Sequence, residues 1–228
     1  MRQTSLYVLG LFVLSLGVSL SIQAGLGVSP VSSLAYATTL TAGLSIGVTT
    51  VLSNVLYIIF QVIFSKRVVL NEFAGQLIIA FLFGFFMDVT LFIIRLFPTP
   101  ETVFAQFVYL IVSLFVVSIG LLGYTTAQLP LMPYDALTKV ISERFKIVFS
   151  KAKISGDIIN VCVAGAICLI FIQSLGSIGI GTIIAAYFIG KILGWMIPRY
   201  RDTLLNWVFK TEKATEEIAI KGRQKENA

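Results

Sequence analysis

The sequence contains no histidine, and only 12% of its 228 residues are charged. The missing histidine removes the commonest metal ligand and the commonest proton-relay side chain near neutral pH. A soluble globular domain carries about 25% charged residues, so the low charge excludes an ordinary soluble protein. The two cysteines, Cys162 and Cys168, are six positions apart in one apolar run. This spacing suits neither a metal site nor a local disulfide and indicates two buried small hydrophobic residues, so we expect no metal and no cofactor.

Several functional signatures are also missing. No P-loop or other glycine-rich phosphate motif occurs, so the chain cannot couple ATP hydrolysis by itself. No nucleophile–base pair and no paired intramembrane carboxylates occur, and we therefore predict that the protein is not an enzyme. The net charge is +6, but the basic residues stand between and after apolar runs. They are typical of topology signals in a membrane protein and not of a nucleic-acid surface.

Long apolar runs are abundant. The chain is 57% hydrophobic with a mean hydropathy of +0.94, and several runs reach the roughly 20 residues that a helix needs to cross a bilayer. We predict an all-α polytopic membrane protein with six transmembrane helices near 6–23, 48–64, 73–96, 104–123, 154–172 and 178–197. The first run could imitate a signal peptide. Its second copy, at 107–123, is internal, which favours a transmembrane helix.

The chain also repeats itself. Ala24, Leu26 and Pro30 align with residues of the same type 103 positions later, at Ala127, Leu129 and Pro133. Further along the offset becomes 106 positions, and it relates Asn54, Gly75, Ala80 and Gly84 to Asn160, Gly181, Ala186 and Gly190. We predict one membrane repeat at 1–97, a second at 98–198 and a cytoplasmic tail at 199–228. Each repeat has three spans, and a short amphipathic or re-entrant helix follows its first span, at 31–43 and at 134–149.

Charge placement predicts the orientation of the repeats. Arg2, the Lys66-Arg67 loop, the cluster at 139–153 and the tail from Arg199 all fall on one side in a six-span arrangement, with both termini cytoplasmic. An odd number of spans per repeat then inserts the second repeat upside down, as in many secondary transporters. Counting the short segments as spans would give parallel repeats, but it would send Lys66-Arg67 and the 139–153 cluster to opposite sides.

The duplicated motif is the first candidate site. Glycines and prolines interrupt the helix just after the first span of each repeat, at Gly25, Gly27, Pro30, Pro130 and Pro133. Helix breaks at matching positions of two halves indicate a substrate site, with a plain turn at the membrane surface as the alternative. Polar groups for such a site would come from Ser32, Gln128, Tyr134 and Asp135.

Polar residues within the spans are the second set of candidates. Asp88 is either a cation, proton or substrate site, or a helix-end residue that reaches interfacial water or Arg95. Asn54 and Asn160 either bind substrate or hydrogen-bond neighbouring helices, and the second role is favoured. Asp157 is explained as a helix-start residue. Small residues one turn apart predict helix–helix contacts at Ala80, Gly84, Ala186, Gly190 and Gly194.

Three strings resemble the YczE/YitT-type bacterial membrane proteins. They are Gly17-Val-Ser-Leu-Ser-Ile-Gln-Ala-Gly-Leu-Gly-Val-Ser-Pro30, Thr41-Ala-Gly-Leu-Ser-Ile-Gly47 and Gly84-Phe-Phe-Met-Asp88. The resemblance covers most of residues 6–197. The family pattern usually has Trp-Asp after the proline, whereas this chain has Val31-Ser32 there and an aspartate only in the second copy, at Asp135. The resemblance implies a multi-pass plasma-membrane protein and carries over no substrate and no catalytic residue.

These observations predict a bacterial inner-membrane transporter of small molecules, or a substrate-binding membrane component, with its site at the repeat interface. The alternative is a non-transporting accessory protein that scaffolds a partner, and a membrane enzyme ranks third. The expected partners are the lipid bilayer, an unknown small-molecule substrate, and a second copy of the chain or a partner membrane subunit. No nucleic acid is expected.

Overall fold

The computed structural model describes residues 2–65 and 70–226, with side chains given as far as Phe209. These residues form eight α-helices and no strand. The helices are α1 (Arg2–Ala24), α2 (Pro30–Ala42), α3 (Ile46–Ser65), α4 (Leu70–Arg95), α5 (Val103–Thr126), α6 (Pro133–Phe145), α7 (Phe149–Ile172) and α8 (Ile180–Glu226). The Lys66-Arg67 loop and the charged side chains from Lys210 onward, which support the predicted orientation, lie outside this description.

Six of these helices are long and apolar enough to cross a membrane, namely α1, α3, α4, α5, α7 and the part of α8 over Ile180–Phe209. The prediction of an all-α membrane protein with six spans is confirmed. The largest differences concern the last two spans. Helix α7 begins at Phe149, ahead of the predicted start at 154, and α8 continues beyond the predicted end at 197. Helix α8 contains Pro198 and continues through it, although a proline inside a helix removes one backbone hydrogen bond.

The two short helices begin at prolines and end in left-handed turns. Pro30 and Pro133 stand in the first turn of α2 and α6, where a missing N–H group costs nothing. Gly43 (φ 67°) and Lys146 (φ 53°) end the two helices. Each helix has 13 residues and is therefore about 20 Å long. The hydrocarbon core of a bilayer is about 30 Å thick, so neither helix can cross it alone.

Helices α1 and α5 pack along each other at the centre of the molecule. A Cβ atom at Gly17 would lie 2.6 Å from the backbone nitrogen of Val117, and one at Gly120 would lie 2.3 Å from that of Leu14. Only glycine permits backbones to approach this closely. The two contacts correspond, because Gly17 and Gly120, like Leu14 and Val117, are 103 positions apart. Helix α4 packs on α1, and α8 packs on α5.

Each short helix is covered by a span of the other half of the chain. Helix α2 packs on α7, where Ala37 lies against Ala164 and Cys168. Helix α6 packs on α3, where the rings of Tyr134 and Tyr57 meet edge to face with centroids 5.2 Å apart. The two halves of the chain are therefore interlocked and do not lie side by side.

The last two spans of the halves differ. In the first half α3 packs on α4, and a Cβ atom at Gly84 would lie 2.6 Å from Val51 Cγ2 and 2.7 Å from the Gly47 oxygen. Ala80 on the same face is fully buried, so the predicted packing face of α4 does pack. In the second half α7 and α8 make no extended contact within the described residues.

The predicted packing face of α8 is consequently uncovered within the single chain. Ala186, Gly190 and Gly194 are exposed, and no neighbouring atom lies within 4 Å of a Cβ atom built on either glycine. The physical reason lies in α7, where Lys153 and Asp157 stand 106 positions after Gly47 and Val51. In this state Lys153 pairs with Asp135 and Asp157 accepts a hydrogen bond from Tyr134, so α6 holds both side chains beside a central cavity and α8 does not pack against them.

Candidate functional site

A cavity of about 310 Å³ lies at the centre of the protein, and all eight helices contribute to its walls. Most of the lining is apolar and includes Leu14, Val18, Phe83, Val117, Leu121 and Ile189. Ala186 and Gly190 of α8 and Ile154 and Asp157 of α7 also line the cavity. It therefore occupies the space that α7 and α8 leave between them.

Four of the predicted binding residues line this cavity. Ser32 and Asn54 contribute from the first half of the chain, and Tyr134 and Asp135 contribute from the second half. Ser32, Tyr134 and Asp135 stand in the first turn of a short helix, since α2 begins at Pro30 and α6 at Pro133. Pro30 itself is part of the wall. The two copies of the duplicated motif thus lead into one cavity.

Asp88 is on α4 and lies outside the cavity, with its carboxylate at the start of α3. One carboxylate oxygen accepts the backbone N–H of Gly47 at 2.8 Å, and the other accepts the hydroxyl of Ser45 at 2.8 Å. The first N–H groups of a helix lack partners within the helix, and a negative charge there is favourable. Asp88 therefore caps the start of a neighbouring helix, a role that differs from both expected ones, and its carboxylate makes no contact with the cavity.

Asn160 also does not line the cavity. Its side-chain oxygen accepts the hydroxyl hydrogen of Tyr57 at 3.1 Å, which joins α7 to α3. This is the interhelical hydrogen bond expected as its alternative role. The Nδ2 atom of Asn160 is buried without a hydrogen-bond partner. Asn54, in contrast, donates to the Thr50 carbonyl of its own helix at 2.9 Å and borders the cavity.

The glycines of the motif and Gln128 shape turns. Gly25 (φ 70°) and Gln128 (φ 55°) take the same left-handed conformation at positions 103 apart, and both are exposed. Gly27 (φ 99°) lies so close to Gly179 that a Cβ atom would fall 2.4 Å from the Gly179 nitrogen. Pro130 accepts the hydroxyl of Tyr7 on its carbonyl at 2.7 Å. These residues fix loops next to α2, α6 and α8 and do not line the cavity.

An ionic cluster that the sequence did not predict lies on the cavity wall formed by α6 and α7. The ammonium nitrogen of Lys153 lies 3.0 Å from one oxygen of Asp135, and the Tyr124 hydroxyl donates to the other at 3.2 Å. The Tyr134 hydroxyl donates to Asp157, and Lys153 Nζ lies 4.7 Å from the centre of the Tyr134 ring. One signal was available, since Lys153 and Asp157 are four residues apart and so share one face of α7.

The Tyr134 hydroxyl is a neutral donor in this cluster. Burial raises its pKa far above the usual value for tyrosine, and the negative charge of Asp157 raises it further. The phenol therefore stays protonated at physiological pH and orients the Asp157 carboxylate. Among the described residues, no group of histidine, cysteine, aspartate or glutamate side chains could hold a metal ion. The chemistry that the cavity offers is recognition by charge and hydrogen bonds within apolar walls.

Comparisons with known proteins agree with a membrane protein. The chain is 29% identical to the "Uncharacterized protein YyaS" of Bacillus subtilis (strain 168) over 194 residues, which cover 84% of this chain and 90% of YyaS. It is 26% identical to the "Uncharacterized membrane protein YczE" of the same organism over 194 residues, covering 85% and 84% of the two chains. A Haemophilus influenzae protein is 21% identical over 196 residues, covering 86% and 84%.

No solved structure matches the chain. The resemblance to YczE-type proteins that the sequence motifs predict is confirmed by these relatives. A family model matches residues 1–198, and the chain therefore belongs to DUF6198, a family of unknown function.

Proposed function

We propose that the protein is a small-molecule transporter, or the substrate-binding membrane component of one, whose site is the central cavity. The observation that carries this proposal is a cavity between the two halves with polar side chains from both, namely Ser32 and Asn54 from one and Tyr134, Asp135 and Asp157 from the other. Binding sites at the interface of two repeats, formed where helices are interrupted, are typical of secondary transporters.

We also propose that the halves are inverted repeats with both termini in the cytoplasm. Reciprocal contacts, in which residue i meets j and the equivalent of j meets the equivalent of i, indicate a two-fold axis. Gly17 with Val117 and Gly120 with Leu14 meet this criterion. Helix packing supports it as well, since α2 on α7 corresponds to α6 on α3, and α1 on α4 corresponds to α5 on α8. Three spans per repeat then require opposite orientations in the membrane.

The difference between the halves supports alternating access. Helices α3 and α4 are closed on each other at Gly84, whereas α7 and α8 leave a gap that the cavity occupies. Alternating access in transporters built from repeats moves one repeat or bundle against the other around a fixed site. In the opposite state we expect α8 to close on α7 and α4 to separate from α3.

The experiment is uptake of an isotope-labelled bacterial small-molecule extract by liposomes that contain the purified full-length protein, read by mass spectrometry. We expect at least one labelled compound to accumulate above the level in protein-free liposomes. Asn54→Ala, which alters the cavity wall, should reduce this accumulation. Gln128→Ala is the matched control, because Gln128 is exposed and lies outside the cavity.

A result in which no compound accumulates, with intact and correctly folded protein in the liposomes, would reject the transporter. The uncovered face of α8 at Gly190 and Gly194 favours one second function, a scaffold that holds a partner membrane protein. For that function we expect a partner to co-purify with the wild type and to be lost with Gly194→Leu, while Asn54→Ala retains it.

A further inference from the structure

The charged groups of the cavity are all on one wall. Asp135 on α6 and Lys153 and Asp157 on α7 are its ionisable carboxyl and ammonium groups, so carboxyl groups outnumber ammonium groups by two to one. The opposite wall, from α2 and α3, offers neutral polar side chains that include Ser32 and Asn54. The cavity is therefore polarised, with a net negative end and a neutral end.

The hydrogen-bond partners identify which carboxylate remains available. Both oxygens of Asp135 are engaged, one by Lys153 and one by Tyr124. Asp157 receives a hydrogen bond from Tyr134, and within the described part of the chain from no other group. An ionised carboxylate has about four acceptor sites, so Asp157 keeps most of its capacity free. Lys153 forms its ion pair with Asp135, which leaves the charge of Asp157 without a cation in direct contact.

A second acceptor faces the cavity from the neutral wall. Asn54 is 4% exposed, and its amide nitrogen donates to Thr50. Its side-chain oxygen accepts no hydrogen bond from any described residue. An amide oxygen that borders the cavity and has no donor among the described residues can accept a hydrogen bond from a ligand.

We propose that the cavity binds a small organic amine as its cation, with the ammonium group on the Asp157 carboxylate and an apolar body against the remaining walls. This inference deepens the proposed function and rests on it. An ammonium group has three donors and matches the free acceptor sites of Asp157. The rings of Tyr57 and Tyr134 line the same region and add apolar surface beside the carboxylate. Leu14, Val18 and Phe83 provide the apolar surface for the rest of the ligand.

An anionic ligand fits this wall poorly. It would meet the Asp157 carboxylate, which has no cation in direct contact, and it could use Lys153 only by breaking the pair with Asp135. The broken pair would leave the Asp135 carboxylate without its partner in a largely apolar cavity, which is strongly unfavourable. The volume of about 310 Å³ is at the lower end of the range for ligand pockets, so the ligand is small.

Calorimetric titration of the purified full-length protein in detergent tests the assignment with four probes that share one body. These are phenethylamine, phenethyl alcohol, hydrocinnamate and the zwitterion phenylalanine. We expect the amine to bind about tenfold or more tightly than the other three, because a hydrogen bond to a charged group contributes that much affinity. Asp157→Asn should remove this preference. Asp88→Asn makes the same charge change outside the cavity and should leave it intact.

The four-probe comparison on the wild type decides the question even where Asp157→Asn fails to fold. Tighter binding of hydrocinnamate or phenylalanine would overturn the cation assignment and leave the cavity as a binding site. Equal binding of all four probes, or no binding of any, would also overturn it. None of these results rejects transport, which fails only if the labelled extract does not accumulate in liposomes.

Discussion

At the scale of single residues, the carboxylate of Asp88 fixes the corner at which α2 ends and α3 begins. It accepts the Gly47 N–H and the Ser45 hydroxyl. We expect Asp88→Ala to reduce the free energy of unfolding by about 1 kcal/mol, the usual cost of losing a helix N-cap. Asp88→Asn should cost less, because its amide oxygen still accepts one of these bonds. Thermal unfolding of the purified variants in detergent measures both effects.

The same variants separate a structural role from a role in binding. Because Asp88 does not line the cavity, ligand binding by the folded fraction of either variant should equal that of the wild type. A folded Asp88→Asn protein that has lost ligand binding would contradict this structural role and return Asp88 to the site.

Residue types and spacing predicted part of the site. The prolines at 30 and 133 indicated that Ser32, Tyr134 and Asp135 follow helix breaks, and in the structure all three line one cavity. Asp157 and Lys153 were not assigned to it. The sequence indicated that Asp157 lies near the start of its helix, where an acidic residue is a favourable end charge, whereas α7 begins eight residues earlier, at Phe149. Their role depends on the packing of α6 against α7, which one sequence does not reveal.

At the scale of helices, the two equivalent glycines Gly84 and Gly190 make a matched pair. Gly84→Leu would force a side chain into Val51 and Gly47, and such overpacking typically costs about 1–3 kcal/mol. Gly190→Leu meets open space in this state. We therefore expect Gly84→Leu to lower the apparent unfolding temperature, while Gly190→Leu leaves it near that of the wild type.

Gly190→Leu, which should leave the unfolding temperature near that of the wild type, should nevertheless impair transport. If α8 must close on α7 during the cycle, Gly190→Leu blocks the closure and abolishes uptake in a protein that is still folded. Full uptake by Gly190→Leu in the liposome assay would argue against this closure and would mean that the gap between α7 and α8 is permanent.

Hydropathy predicted the spans well but not their neighbours. Crossing a bilayer requires about 20 apolar residues in sequence, and this requirement is local and visible. Helix contacts are not visible in the same way, because lipid is as apolar as a neighbouring helix. The central α1–α5 contact at Gly17 and Gly120 was therefore missed, and the small-residue face of α8 was assigned a contact that the single chain lacks.

At the scale of the whole molecule, the orientation of the repeats is open to a direct measurement. In a background with Cys162→Ala and Cys168→Ala, single cysteines at Lys66 and Lys151 should react with a membrane-impermeant maleimide only from the cytoplasmic side. A cysteine at Glu101 should react only from the outside. These expectations follow from the rule that basic residues concentrate in cytoplasmic loops.

Labelling of Lys66→Cys and Lys151→Cys from opposite sides would reject the inverted arrangement and favour parallel repeats, in which the short helices count as spans. The three positions share one background and one reagent, so a difference in reactivity reports position relative to the membrane.

The packing of each short helix on a span of the other half of the chain has a consequence for biosynthesis. Helix α2 is covered by α7 and α3 by α6, and the covering helices are made much later in the chain. Until they emerge from the ribosome, α2 can pack on α3 and α3 on α4, but the faces that α7 and α6 cover have no protein surface to bury against. Final packing therefore awaits nearly the whole chain, and a ribosome stalled after the first half would leave an unfinished intermediate open to membrane chaperones and proteases.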